Sequence, residues 1–219
     1  MLKILYLVPN LSDPAVARRV AMLELGGAEV AVAGFRRADA PKPDLGSGQV
    51  VELDITHDAR MLQRLLATIK ARYRAKGWAK SFARPDVIVA RNLEMLAIAN
   101  RLLKLWPEAP ALVYECLDIH RMMLRGDGLG RAMRAVEQRL MQNTSLLLTS
   151  SQAFLTNYFD GQGAPPATLI ENKVFAPGHA AVGHNPALDG DEGALRLGWF
   201  GALRCHKSLT ALNALSRAL

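Results

Sequence analysis

The stretch "LKILYLVPNLSDPAVARRVAMLELGGAEVAVAG" runs from Leu2 to Gly34 and decides the fold. Leu2–Val8 is a short continuous apolar run, as expected of a strand buried on both faces. Asp13 or Ser12 can cap the helix that follows, and Pro14 suits its first position. Val16, Val20 and Leu23 fall on one face of that helix, and Gly26 and Gly27 end it. Ala28–Gly34 is then a second apolar strand.

The alternation continues outward. "QVVELDI" reads as a strand, and a long helical segment starts near Asp58. Asp86–Ala90 is a strand and Leu93–Leu105 a helix. "ALVYEC", "SLLLT" and "ATLIEN" are further strands, with helices over Leu129–Met141 and Gln152–Tyr158. Strands alternating with helices predict a doubly wound, Rossmann-like α/β fold with a parallel sheet. The predicted domain spans residues 1–175. A Gly-, Pro-, Ala- and Asp-rich stretch over 176–194 reads as a linker. Residues 195–219, "LRLGWFGALRCHKSLTALNALSRAL", read as a strand, a glycine turn, a basic loop and a helix, the opening of a second domain. The helix presents Leu209, Leu212 and Leu215 on one side.

The chain has 219 residues, enough for one full core but short for two domains. It holds no apolar run of membrane-spanning length, and its start lacks the layout of a signal peptide. Cys116 and Cys205 sit in unrelated contexts that suggest neither a disulfide framework nor a zinc site, so a reducing cytoplasm is the expectation. The net charge of +7 favours anionic partners such as nucleic acid, phosphorylated substrates or acidic lipid.

In such sheets ligands bind beyond the carboxyl ends of the strands, so the loops there carry the candidates. The loop after the first strand lacks the glycines of G-x-G-x-x-G, which weighs strongly against a standard NAD or FAD site. Asp13 is a helix cap there or a partner for a sugar hydroxyl. Arg91 and Asn92 sit where a strand ends and a helix begins; Asn92 can cap, or both can line a polar cleft. Asp118 and His120 follow the "ALVYE" strand, and a carboxylate near a histidine can orient its ring for hydroxyl binding or proton transfer. His57 reads as ordinary helix-start polarity. Beyond Gly201, Arg204, His206 and Lys207 precede a helix, an arrangement suited to a diphosphate.

Residues Arg60–Arg84 carry eight cations and no acid. Lys70 with Arg74 and Arg72 with Lys76 are like-charged i, i+4 pairs that an anionic partner would relieve. Leu62, Leu65, Leu66, Ile69 and Tyr73 form an apolar stripe, followed by Trp78 and Phe82. Two readings stay open: a segment for an anionic membrane surface, or a helix packed on the core with a solvated basic face. No recognition motif accompanies the charge, so nucleic acid is not an expected partner.

Four segments together resemble the family 4 glycosyltransferases of the GT-B fold, of the bacterial exopolysaccharide or succinoglycan type. They are "LSDPAVARRVAMLELGGAEV", "DVIVARNLEMLAIA", "LVYECLDIH" with "LLLTSSQAFLTNYF…LIENKV", and "LGWFGALRCHKSL". The resemblance implies two Rossmann-like domains across a cleft, the first for an acceptor and the second for a nucleotide-sugar donor. It implies transfer with retained anomeric configuration and no bound metal or cofactor beyond the nucleotide-sugar co-substrate. His120 and Asp118 match the family's acceptor-side polar loop and are the catalytic candidates. Arg204 and Lys207 match its donor-diphosphate cations. Asp13, Arg91 and Asn92 fall in the acceptor-side cleft. The implied acceptor is a growing, lipid-linked glycan at the inner face of the cytoplasmic membrane.

There are departures. Lys207-Ser208 stands for the family's Lys-Gly, and the arginine usual just after the glycine is missing. The family's two-glutamate signature lies beyond this loop, which predicts that the 219-residue chain alone has little activity. The alternatives are a non-catalytic, membrane-associated Rossmann-like binding subunit and another GT-B enzyme such as a nucleotide-sugar epimerase.

Overall fold

Leu2–Val8 forms β1, whose last five residues are buried. The computed structural model describes residues 1–40, 45, 48–56, 61–171 and 206–218. His57, Asp58, Arg60, Arg204, Cys205, the linker over 176–194 and the strand expected after it lie outside the described residues. The chain divides into two units, Met1–Phe175 and Ala176–Leu219.

In the first unit, α1 spans Pro14–Leu25. Asp13 is its N-cap, with Oδ1 accepting the Ala15 amide at 2.9 Å, and Pro14 sits at the helix start. Gly27, at φ 85°, turns the chain into β2, Ala28–Arg37, three residues longer than the apolar run alone suggests. β3 spans Val50–Thr56, α2 Met61–Tyr73 and α3 Ala75–Trp78. β4 is Val87–Arg91, α4 Asn92–Leu102, β5 Ala111–Cys116, α5 Gly128–Met141 and β6 Leu146–Thr149. The helix expected over Gln152–Tyr158 is one α-turn, α6 (Gln152–Phe154), that widens into a π-turn over Leu155–Phe159. β7, Ala167–Leu169, is short and exposed. In the second unit, α7 spans His206–Ala218; Leu209 and Leu215 are exposed on it.

The sheet runs β3-β2-β1-β4-β5-β6-β7 with every pairing parallel. This is the doubly wound, Rossmann-like fold. The order reverses between β1 and β4, which makes the carboxyl ends of those strands the topological switch point. Strand side chains alternate between two faces. One face packs Tyr6, Val8, Val32 and Val89 against Val16 and Val20 of α1. The other packs Leu5, Leu7, Ile88 and Leu112 against Met95, Leu96, Ile98 and Leu102 of α4.

α2 packs on the core, as one of the two readings of Arg60–Arg84 expects, but by a face other than its large apolar stripe. Its small residues, Ala67, Thr68 and Ala71, meet the core. Its Leu65, Leu66, Ile69 and Tyr73 are exposed instead. Small side chains let the helix approach its neighbours closely, so the larger ones face away. Trp78 and Phe82 do not point outward as anchors. They meet edge-to-face with centroids 6.2 Å apart, and Trp78 Nε1 donates to the Ala71 carbonyl at 3.0 Å.

Candidate functional site

Arg91 ends β4, and Glu115 is its register partner on β5. The two-residue period turns both toward the α1 face, the face that carries Tyr6. Glu115 is fully buried, and a buried carboxylate must be paired. Tyr6 donates its hydroxyl to Oε2, and Arg19 of α1 donates Nε–H to Oε1 at 2.8 Å. Arg91 Nε lies 3.9 Å from Oε2. Burial first, and then the Glu115 carboxylate, push the Tyr6 phenol well above its ordinary pKa, so Tyr6 stays a donor.

From there the network reaches the crevice. Arg91 Nη2 lies 3.4 Å from Asp13 Oδ2, while the other Asp13 oxygen caps α1. Two guanidinium groups are thus balanced by two carboxyl groups. Arg91 Nη1 is buried and has no hydrogen-bond partner among the described residues. Leaving such a donor unpaired costs about 1–3 kcal/mol, a penalty that a ligand oxygen would remove. Asp13 also offsets the positive end of α1, so the crevice is a poor anion hole. Its mixed donors and acceptors suit hydroxyl groups better.

Asn92 is the one non-glycine residue at positive φ, 70°, among the described residues. That conformation turns β4 sharply into α4, and its Oδ1 accepts the Met95 amide at 3.4 Å. Its side chain is therefore committed to capping.

The loop after β5 places Asp118 and His120 at the same end of the sheet, both exposed. No hydrogen bond joins them. The His120 ring is held by the Met122 amide, which donates to Nδ1 at 3.3 Å. Ring orientation is therefore set by the backbone, not by Asp118 as the sequence suggests. In the neutral ring, Nε2 carries the proton and is free to donate. Cys116 turns inward, and burial together with the nearby Glu137 pushes its thiol up to about 12, which removes it as a nucleophile. Among the described residues no group of three or more His, Cys, Asp or Glu side chains is placed to hold a metal ion.

No protein-family model matches the sequence. It is 46% identical over 225 aligned residues to the succinoglycan biosynthesis protein ExoL of Rhizobium meliloti (strain 1021), covering 100% of this chain and 56% of that protein. The chain thus spans about half the length of the curated relative it matches. Sucrose-phosphate synthase of Thermosynechococcus elongatus superposes with a TM-score of 0.52 at 13% identity, over 78% of this chain and 48% of the synthase. The glycotransferase of kitacinnamycin gives a TM-score of 0.51 at 15% identity, over 98% of this chain and 63% of that protein. At these identities the likeness is one of fold.

Of the residues expected from sequence, the structure brings Asp13 and Arg91 into direct contact and leaves Asn92 beside them as a cap. Asp118 and His120 occupy the next loop. Lys207 is exposed in the first turn of α7, in the second unit. Glu115, Arg19 and Tyr6 complete the network, although no sequence motif singles them out. Their signal was a lone acid inside an otherwise apolar strand, "LVYEC", which demands a buried partner.

Proposed function

We propose that the first unit is the acceptor-side half of a retaining, GT-B-fold glycosyltransferase. The whole enzyme would transfer a sugar from a nucleotide-sugar donor to a growing, lipid-linked exopolysaccharide. The observation that carries this reading is Arg91 at the β1/β4 switch point, with one guanidinium nitrogen unpaired beside the half-exposed carboxylate of Asp13. On this reading a sugar hydroxyl would reach Nη1 as Arg91 adjusts, while its neighbour meets the Asp13 carboxylate. The 46% identity to a succinoglycan biosynthesis protein supports the biological setting.

On this reading Asp13 and Arg91 hold the acceptor, and His120 Nε2 and Asp118 line its other side. Lys207, with Arg204, would meet the donor diphosphate. Negative charge grows on that leaving group as the anomeric bond breaks, and preorganised cations stabilise it. The metal-free, cofactor-free chemistry implied by the family resemblance is part of the proposal.

Separate calorimetric titrations with exopolysaccharide oligosaccharides and with nucleotide sugars test it. Oligosaccharide binding should be saturable and weaken about tenfold or more in Arg91→Met. Nucleotide-sugar binding should weaken in Lys207→Ala and not in Arg91→Met. The reverse pattern would overturn the assignment of sides.

A further inference from the structure

No helix among the described residues is long and apolar enough to cross a membrane. One helix nevertheless carries an apolar face that is exposed among the described residues. On α2, Leu65, Leu66, Ile69 and Tyr73 are 53%, 65%, 43% and 83% exposed. At 100° per residue these four cluster on one side, opposite the Ala67, Thr68 and Ala71 face that meets the core. Arg72 flanks the stripe on one side and Lys70 on the other, and both are exposed. Arg74, Lys76 and Lys80 continue the positive charge, and Arg101 of α4 lines the same surface pocket as Arg72 and Tyr73. Lys70 Nζ is bound to Asp54 at 2.7 Å. No acid occurs between residues 61 and 84.

We propose that this face of α2 is an interfacial anchor that seats the protein on an anionic lipid bilayer. The leucines, Ile69 and the Tyr73 ring enter the boundary between headgroups and acyl chains. Arg72, Arg74, Lys76 and Arg101 meet lipid phosphates. Charge complementarity selects this occupant. A second copy of the same face would set these cations against their own kind, whereas an acidic bilayer neutralises them while covering the apolar stripe. The inference does not depend on sugar transfer, because it needs neither donor nor acceptor.

Flotation of the 219-residue chain with phosphatidylcholine vesicles, with and without phosphatidylglycerol, tests the anchor. Binding is expected with the anionic vesicles and should weaken as salt rises. Leu66→Ser combined with Ile69→Ser should lower it about tenfold. Arg72→Gln should lower it about fivefold. All three side chains are exposed, so circular dichroism should show an unchanged unfolding midpoint. In Tyr73→Trp, the added indole should shift its emission to the blue on anionic vesicles. Equal binding to neutral vesicles, no binding by the folded chain, or a self-associated state that Leu66→Ser with Ile69→Ser dissolves would each overturn the proposal.

Discussion

Arg91 and Glu115 are register partners on β4 and β5, yet their bonding differs: Glu115 accepts from both Tyr6 and Arg19, while Arg91 keeps Nη1 unpaired. The first is a structural keystone, and the second is the donor proposed to meet the acceptor. Glu115→Ala leaves Arg19 and the Tyr6 hydroxyl without their buried acceptor and should cost about 3–5 kcal/mol in urea unfolding. Arg91→Met leaves Glu115 its two closer partners and should cost only about 1 kcal/mol. Equal losses from the two variants would contradict this division.

Asp13 has two separable roles. Asp13→Ala removes the cap of α1 and should lower stability by about 1 kcal/mol. Asp13→Asn keeps the cap and removes the charge next to Arg91, so stability should hold within a few tenths of a kcal/mol. Oligosaccharide binding should fall in both. Thermal unfolding and calorimetry of the two variants check the separation.

Gly34, near the end of β2, has no room for a side chain. A Cβ there would meet the Val8 carbonyl oxygen and the Val8 side chain well inside van der Waals contact. Gly34→Ala should therefore push the end of β1, and with it the loop bearing Asp13, costing about 2 kcal/mol in chemical unfolding. An unchanged unfolding midpoint would show that the two strands do not approach this closely.

Glu137 of α5 accepts from Tyr114 at 2.7 Å and from Tyr158 at 2.6 Å. Burial outweighs these two bonds and raises its pKa. The folded state then holds this proton more tightly than the unfolded state does. Its contribution to stability is present below the ordinary glutamate range and is lost as pH rises through the raised value. Urea midpoints of wild type and Glu137→Gln across that range should converge at low pH and separate above it, with the wild type falling relative to the variant. A constant difference at every pH would contradict the raised value.

The strands were legible because a parallel sheet covered on both faces needs near-continuous apolar runs, and Leu2–Val8 and Ala111–Cys116 supply them with one charged residue each. The crevice was legible in part, since Asp13 and Arg91 sit at strand ends where this topology puts ligands. Glu115 was missed because its partners, Tyr6 and Arg19, are 109 and 96 residues away in sequence. The outward face of α2 stayed open because periodicity finds a stripe without saying which side of it packs. Only the alanines opposite, Ala67 and Ala71, show that the core is on their side.

The most direct test of the central claim observes Arg91 itself. Guanidinium resonances of the ¹⁵N-labelled chain can be followed while an exopolysaccharide oligosaccharide is added. The account predicts that the Arg91 signals shift saturably, and that Arg91→Met weakens binding about tenfold or more while its unfolding midpoint stays near that of the wild type. Saturable binding that leaves Arg91 unshifted and survives Arg91→Met would contradict it.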